Sequence, residues 1–351
     1  MRYKPVRFGI VGTGAIAQSY ALAFESCALA EVVGVADLRQ DAAASLAGKL
    51  KCESFASYSD LADGAKLDAV LIATPPNTHP EICIDFLNRG IAVLCEKPLS
   101  IDVAGAARMV EAARSAGVKM TMASKFRFVE DVVRAKHLVA SGILGEVVMV
   151  ENFFASRVDM SKRWNSDATV SGGGVLIDNG THSVDLIRYF VGALKEIHAV
   201  EGKRSQNLPV EETVHVFLRS ASGVLGTVDL SWCINKELES YLRIYGSEGT
   251  ISVGWKESKF LLSGSRDWKV FGRGYDKVQA FRSQIENFCK AIRGEEMLLL
   301  SLDEAVASAH VIEAAYASLR QSHWVSIPLT LGETSDVPGR SELGRSRALS
   351  I

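Results

Sequence analysis

Asp178 and His182 stand four residues apart in Asp178-Asn179-Gly180-Thr181-His182, within a segment whose apolar residues (Ile177, Val184, Leu186, Ile187, Phe190) recur at helical spacing. Positions four apart on a helix share a face. A carboxylate and an imidazole would therefore point into the same space. The carboxylate can fix the ring's orientation and tautomer while the other ring nitrogen moves a proton. A pair at this spacing is equally well a solvated surface pair, so its chemistry depends on what the rest of the chain brings to that face. Lys97 offers a third group, in Glu96-Lys97-Pro98 after the apolar run Ala92-Val93-Leu94-Cys95. An ammonium held there can hydrogen-bond a reacting oxygen and stabilise alkoxide charge. The plainer alternative is a solvated lysine paired with Glu96.

The elements that must position these groups begin at the N-terminus. Val6–Val11 is an apolar strand-like run that leads into Gly12-Thr13-Gly14-Ala15-Ile16-Ala17, and a helical pattern follows. This is a G-x-G-x-x-A turn between strand and helix, the context a dinucleotide site requires. Gly12 permits the tight turn, Gly14 lets backbone approach a pyrophosphate, and Ala17 permits close helix–strand packing. Amides at the helix start, around Ala15 and Ile16, suit the phosphates. The next apolar run ends in Asp37, 20 residues beyond Ala17, where an acid bonds a ribose 2′-hydroxyl. Asp37 argues for NAD, whereas Arg39 could cover a 2′-phosphate and keeps NADP open.

Strand and helix patterns then alternate through Ala123, which predicts a doubly wound parallel sheet. Ligands bind such sheets at the carboxyl ends of the strands. The loops after Val11, Ala36, Ala73 and Cys95 would open onto that edge. Thr74, Pro75, Asn77, His79, Glu96 and Lys97 on two of them join Gly12, Thr13, Gly14, Ala15, Ile16, Asp37 and Arg39 as candidate cofactor contacts. After about Ser124 the character changes. A helix over 129–140, a glycine turn at 142–145 and a strand over 147–154 precede an aperiodic stretch, 155–174. Its Arg157, Lys162, Arg163, Trp164 and Asn165 suit a loop over a site, arginine for anionic groups and tryptophan for a sugar face. After the helix bearing Asp178 and His182 come six strand patterns without helices between them, which predicts an antiparallel sheet. Gly226, Val228, Leu230 and Trp232 would turn one face of it toward helices. Two helices, a short strand and a polar tail over 331–351 close the chain.

The totals set limits. A length of 351 residues suits two domains, and a formal net charge of −2 gives no bias toward nucleic acid or anionic membrane. No apolar run is long enough to span a bilayer, and no signal peptide precedes the first strand. The six cysteines are scattered without a C-x-x-C, which suits free thiols in the cytoplasm and no metal site.

These residues resemble the glucose-fructose oxidoreductase / inositol dehydrogenase (Gfo/Idh/MocA) family from about Val6 to Ile327. The specific part is the conjunction of Thr74-Pro75-Pro76-x-x-His79, Glu96-Lys97-Pro98, Gly142-x-x-Gly145, Gly172-Gly173-Gly174, and Asp178-x-Gly180-x-His182 with Asp185. The resemblance implies a Rossmann domain over 1–124 and an α+β substrate and oligomerisation domain over 125–330, with a large, mostly antiparallel open sheet and helices on one face. It also implies a Lys97–Pro98 bond that is cis. Lys97, Asp178 and His182 fall on the family's catalytic positions. Arg127, Arg157, Arg163, Trp164 and Asn165 join them as candidate substrate contacts. The implied activity is NAD(P)-dependent hydride exchange at a secondary alcohol of a sugar, cyclitol or derivative such as a sugar acid or nucleotide sugar, in a homodimer or homotetramer. The alternative is a dinucleotide-binding regulator of the same fold. The chain departs from the family at Arg127-Phe128-Val129-Glu130, where many members carry a proline.

Overall fold

The computed structural model describes residues 4–328; the polar tail expected over 331–351 lies outside them. The first half alternates as its hydrophobic pattern predicts: β1 Val6–Val11, α1 Ala15–Glu25, β2 Ala30–Ala36, α2 Gln40–Leu50, β3 Glu53–Phe55, α3 Tyr58–Gly64, β4 Ala69–Ile72, α4 His79–Asn88, β5 Ala92–Glu96, α5 Val103–Ala116 and β6 Met120–Ala123. The sheet order is β3-β2-β1-β4-β5-β6, and every pairing is parallel. The strands β4, β5 and β6 are buried along their whole length, because helices cover both faces of a parallel sheet. The order reverses beside β1, so the carboxyl ends of β1 and β4 flank the crevice where such sheets take ligands.

The second half runs α6 Glu130–Ala140, β7 Val147–Ala155, a short α7 Ala168–Ser171, α8 Val175–Val191, β8 Leu194–Glu201, β9 Thr213–Ser220, β10 Leu225–Ser231, β11 Ser240–Gly246, β12 Gly249–Gly254, β13 Ser258–Leu262, β14 Lys269–Gly272, α9 Lys277–Ile292, α10 Leu302–Gln321 and β15 Val325–Ser326. Nine strands form one open sheet in the order β14-β13-β12-β11-β7-β10-β9-β8-β15. Only the β7–β10 pair is parallel. Gly226, Val228 and Leu230 turn the buried face of β10 toward α8: a Cβ at Gly226 would stand 3.7 Å from Ile187, and one at Gly180 3.1 Å from Leu230. The glycines let helix and sheet approach closely.

Spatial layering does not follow chain order. Helix α9 comes late in the chain, yet Phe281, Ile285, Phe288 and Cys289 pack into the core of the first sheet. Their ring partners are Tyr20, 4.1 Å from Phe281, and Phe8, 6.2 Å from Phe288. Among the described residues no helix is long and apolar enough to cross a membrane.

Candidate active site

At the end of β1, Gly12 has φ +92°, and a Cβ there would lie 2.7 Å from the Ala73 carbonyl oxygen. Only glycine fits that turn. Above Gly14 there is open space within 4 Å. Helix α1 starts at Ala15 with neither a side-chain cap nor an acid in its first turn, so its first amides are left to a ligand. Thr13 is nearly buried and works inward: its amide and hydroxyl donate to Asp37 Oδ2 at 2.8 and 2.7 Å. The amide of Arg39 donates to Asp37 Oδ1 at 2.9 Å. Burial pushes the Asp37 carboxyl up, but these hydrogen bonds outweigh it and hold the group below its ordinary range, so it stays an anion able to accept from hydroxyls. The open space, uncapped amides and fixed anion together fit a dinucleotide.

The loops after β4 and β5 form the adjoining rim. Thr74 and Pro75 are half-buried and Asn77 is exposed. His79 is a correction. It was expected at the cofactor, yet it is fully buried, with its ring nitrogens 3.0 Å from the Pro98 carbonyl and 2.9 Å from the Thr74 carbonyl. It ties the two loops together and has no free polar atom for a ligand. Glu96 is also turned inward. It is 7% exposed and accepts from the Tyr20 hydroxyl at 2.8 Å and the Lys97 amide at 3.1 Å. Burial raises its carboxyl. The Lys97–Pro98 bond is cis, as expected.

Helix α8 brings the remaining groups to this rim, and its N-terminus is held by a residue the sequence reading missed. Buried Glu211 accepts from the amides of Gly174 and Leu176 at 2.9 and 3.0 Å and from the Tyr316 hydroxyl at 2.7 Å. The glycine run follows from this crowding: a Cβ at Gly173 would lie 1.9 Å from the Tyr316 oxygen, and one at Gly174 2.1 Å from the Glu211 carbonyl oxygen. Asp178, in the first turn, takes Lys97 as partner. Lys97 Nζ donates to Asp178 Oδ1 at 2.5 Å and to its carbonyl at 3.0 Å.

The expected orientation of His182 by Asp178 is not what the structure shows. Asp178 is engaged by Lys97, and His182 is set by packing, edge-on to Phe126 at 5.0 Å and to Phe154 at 6.3 Å. Its Nδ1 is sealed and makes no hydrogen bond among the described residues, so proton exchange with a ligand falls to Nε2. Burial, then the charges of Lys97 and Lys125, hold the imidazole well below its ordinary pKa. The ring is therefore neutral at physiological pH.

Arg127 is the clearest correction among the substrate candidates. It is 1% exposed, and it donates to Asp185 at 2.9 Å, to Glu304 at 2.7 Å and to the Leu299 carbonyl at 3.3 Å. Its Nη2 is buried as well, 2.8 Å from Asp185, so the whole fork faces into the protein. Arg157, Arg163, Trp164 and Asn165 lie on the stretch between β7 and α8. The structure gives none of them a hydrogen bond, ion pair or ring contact to Lys97, Asp178 or His182. By contrast, Lys125 does reach the site. Its partly buried ammonium sits 5.2 Å from the Phe126 ring and 5.7 Å from that of Phe281, and burial lowers its pKa to about 8, against the pull of Glu96.

Comparison with known proteins decides what this arrangement belongs to. Residues 6–124 match the oxidoreductase family with an NAD-binding Rossmann fold, and residues 132–252 match the GFO/IDH/MocA C-terminal domain. The chain belongs to the Gfo/Idh/MocA family. Inositol 2-dehydrogenase of Rhizobium meliloti (strain 1021) is 25% identical over 336 residues, covering 92% of this chain and 99% of that protein. Trans-1,2-dihydrobenzene-1,2-diol dehydrogenase of Mus musculus is 27% identical over 325 residues, covering 88% and 96%. The solved levoglucosan dehydrogenase with NADH and levoglucosan superposes with a TM-score of 0.87 at 21% identity, covering 93% of this chain and all of that one. As a Gfo/Idh/MocA member, the protein is an NAD(P)-dependent oxidoreductase acting on CH–OH groups.

Proposed function

We propose that the enzyme oxidises a ring-borne secondary alcohol of a sugar, cyclitol or related polyol, or reduces the matching ketone, with NAD preferred over NADP. The observation that carries this reading is the Lys97 ammonium, from the loop after β5, bound at 2.5 Å to Asp178, which lies one turn of α8 before the buried neutral imidazole of His182. When bound, nicotinamide supplies the hydride acceptor or donor. His182 Nε2 takes the hydroxyl proton as general base, a task that requires a neutral ring. Lys97 donates to the reacting oxygen and stabilises alkoxide character. Asp178 holds the Lys97 ammonium in place and offers its second oxygen to a neighbouring hydroxyl. The Asp37 anion favours a ribose hydroxyl over a 2′-phosphate. The relatives named for inositol and for a dihydrobenzenediol point to a ring alcohol, and the presence of both Lys97 and His182 weighs against a non-catalytic regulator.

The same reading extends to the setting. Six free cysteines suit a reducing cytoplasm. The outer face of the nine-stranded sheet leaves Val200, Phe217 and Leu225 between 40% and 48% exposed, which supports a homodimer or homotetramer joined there; light scattering on the purified protein tests it.

The deciding experiment follows NADH formation over neutral sugars, cyclitols, sugar acids and nucleotide sugars, with wild type and His182→Ala. Positioned acid–base catalysis contributes about 10²–10⁴-fold. Turnover should fall by that order in the variant while NADH binding persists. Unchanged turnover removes His182 from the mechanism.

A further inference from the structure

A continuous path of aromatic rings runs from the candidate base to the surface. Phe126 meets His182 at 5.0 Å and stacks on Tyr275 at 5.2 Å. Tyr275 meets Trp255 edge-on at 5.6 Å, and Trp255 lies 4.6 Å from Tyr241 and 6.2 Å from Phe154. Core packing accounts for Phe126, Phe154 and Tyr241, which are buried. It does not account for Trp255, which is left 39% exposed at the outer end of the path, or for Tyr275, which is half-buried.

The two outer rings are fixed by backbone. Trp255 follows β12 and Tyr275 precedes α9. The Tyr275 amide donates to the Trp255 carbonyl at 3.1 Å, and the Trp255 amide donates to that of Glu239 at 3.0 Å. Gly274, at φ +89°, makes the approach possible, since a Cβ there would stand 2.5 Å from the Trp255 oxygen. Its amide is held by Asp131 at 2.7 Å. Through Phe126 the path sets a preformed aromatic face, Trp255 and Tyr275, one ring removed from His182, while Lys97 and Asp178 form a charged pair on the other elements.

We propose that this face lines the substrate space and selects the substrate: a cyclic vicinal diol hydroxylated along one edge only, that edge at Lys97 and His182 and its unsubstituted C–H side on Trp255 and Tyr275. The proposal rests on the dehydrogenase reading above and narrows its substrate class. An aromatic face rewards apolar contact. Each hydroxyl pressed against it gives up water for no hydrogen bond in return. The Tyr241 hydroxyl, itself sealed and unpartnered among the described residues, offers such groups nothing.

The test uses the full-length enzyme with NAD and a matched pair of six-membered rings, trans-1,2-cyclohexanediol and myo-inositol. The wall predicts a higher kcat/KM for the diol. Trp255→Ala should raise KM for the diol about tenfold, the worth of one aromatic contact, with little change in kcat or in KM for inositol. Trp255→Phe should restore most of the loss. Calorimetry of diol binding to the NADH-loaded enzyme, where no turnover occurs, should show the same weakening in Trp255→Ala. Preference for inositol, or equal weakening of both compounds, overturns the wall and leaves the dehydrogenase reading intact. If neither compound nor any other polyol turns over while NADH binds, the dehydrogenase reading fails. The calorimetric comparison still decides the wall in that case, because equal diol affinity in wild type and Trp255→Ala overturns it.

Discussion

Glu211 gives a direct test of how the catalytic helix is held. Its Oε1 accepts from two amides at the start of α8, Gly174 and Leu176, and from the Tyr316 hydroxyl, all at 3.0 Å or less. The residue is 5% exposed, so Glu211→Ala strands three buried donors. Each stranded group costs about 1–3 kcal/mol, and water entering the vacated space offsets part of that. A net loss of about 3 kcal/mol is expected, which corresponds to a fall in Tm of roughly 4 °C for a chain of this length. Function should suffer more than stability, because Asp178 lies in the first turn of α8 and His182 one turn further on. A displacement of about 1 Å at a catalytic group can cost about 10²-fold. Tyr316→Phe removes one donor and leaves the carboxylate, so it should cost only about 1 kcal/mol and little turnover. Thermal unfolding and steady-state kinetics on the three proteins separate these cases. A Glu211→Ala variant that melts within a degree of wild type with unchanged kcat would show that α8 is seated without the carboxylate.

Three further outcomes follow. Lys125, with its pKa lowered to about 8, binds fewer protons folded than unfolded between about pH 8 and 10.5, so its cost to stability is full below pH 8 and relieved as pH rises through that window. Lys125→Met should therefore be more stable than wild type at pH 7, by on the order of 1–3 kcal/mol, with the gain fading toward pH 10.5; no gain in urea unfolding at pH 7 refutes this. For His182 the folded pKa lies below the ordinary value of about 6.5, so kcat/KM should stay flat through pH 6.5 and stability should fall as pH drops below it, whereas an acid limb centred at 6.5 that vanishes in His182→Ala would contradict the burial argument. Asp37→Ala removes the acceptor for the Thr13 amide and hydroxyl and should shift the ratio of kcat/KM for NAD and NADP toward NADP; an unaltered ratio shows that the acid does not set the preference.

What could be read from the sequence depended on how local its cause was. The alternation expected through Ala123 is the one observed, because buried strands such as Ala69–Ile72 and Gly-marked turns carry their own pattern. Helix α5 shows such local causes, with Asp102 capping its start and Gly117 in the left-handed region at its end. Strand β14 was missed. It has four residues, the first two exposed, and no alternation to betray it. Long-range partners were the other failure. Arg127 looks like a ligand-edge cation until Asp185, 58 residues on, is seen to bind it. His79 looks available until two loop carbonyls claim it. Trp255 and Tyr275 carried one faint signal, since each follows a glycine, as Gly254-Trp255 and Gly274-Tyr275. Nothing local says that Gly274 approaches the Trp255 backbone.

The charges around His182 explain why a partly buried lysine is kept at a cost to stability. Burial first, and then the charges of Lys97 and Lys125, oppose a positive charge on the imidazole, so the resting ring is neutral and ready to accept a proton. The same repulsion makes the imidazolium, once formed, a strong acid. His182 alone would then favour returning the proton to the alkoxide. Asp178 changes that balance. Its carboxylate, bonded to Lys97, offsets one of the two ammonium charges without touching the ring, which leaves Lys97 free to lean on the substrate oxygen. Among the described residues Lys125 makes no ion pair; it feels Glu96 and Asp178 at longer range and rests on the Phe126 and Phe281 rings. Removing its charge should therefore raise the affinity of His182 for a proton and strengthen it as a base. An ammonium at this position offsets the buried Glu96 charge and would also attract electron-rich substrate oxygen. The loss in Lys125→Met should accordingly appear in KM, with kcat for oxidation unchanged or increased; a fall in kcat with KM unmoved would place Lys125 in the proton transfer itself.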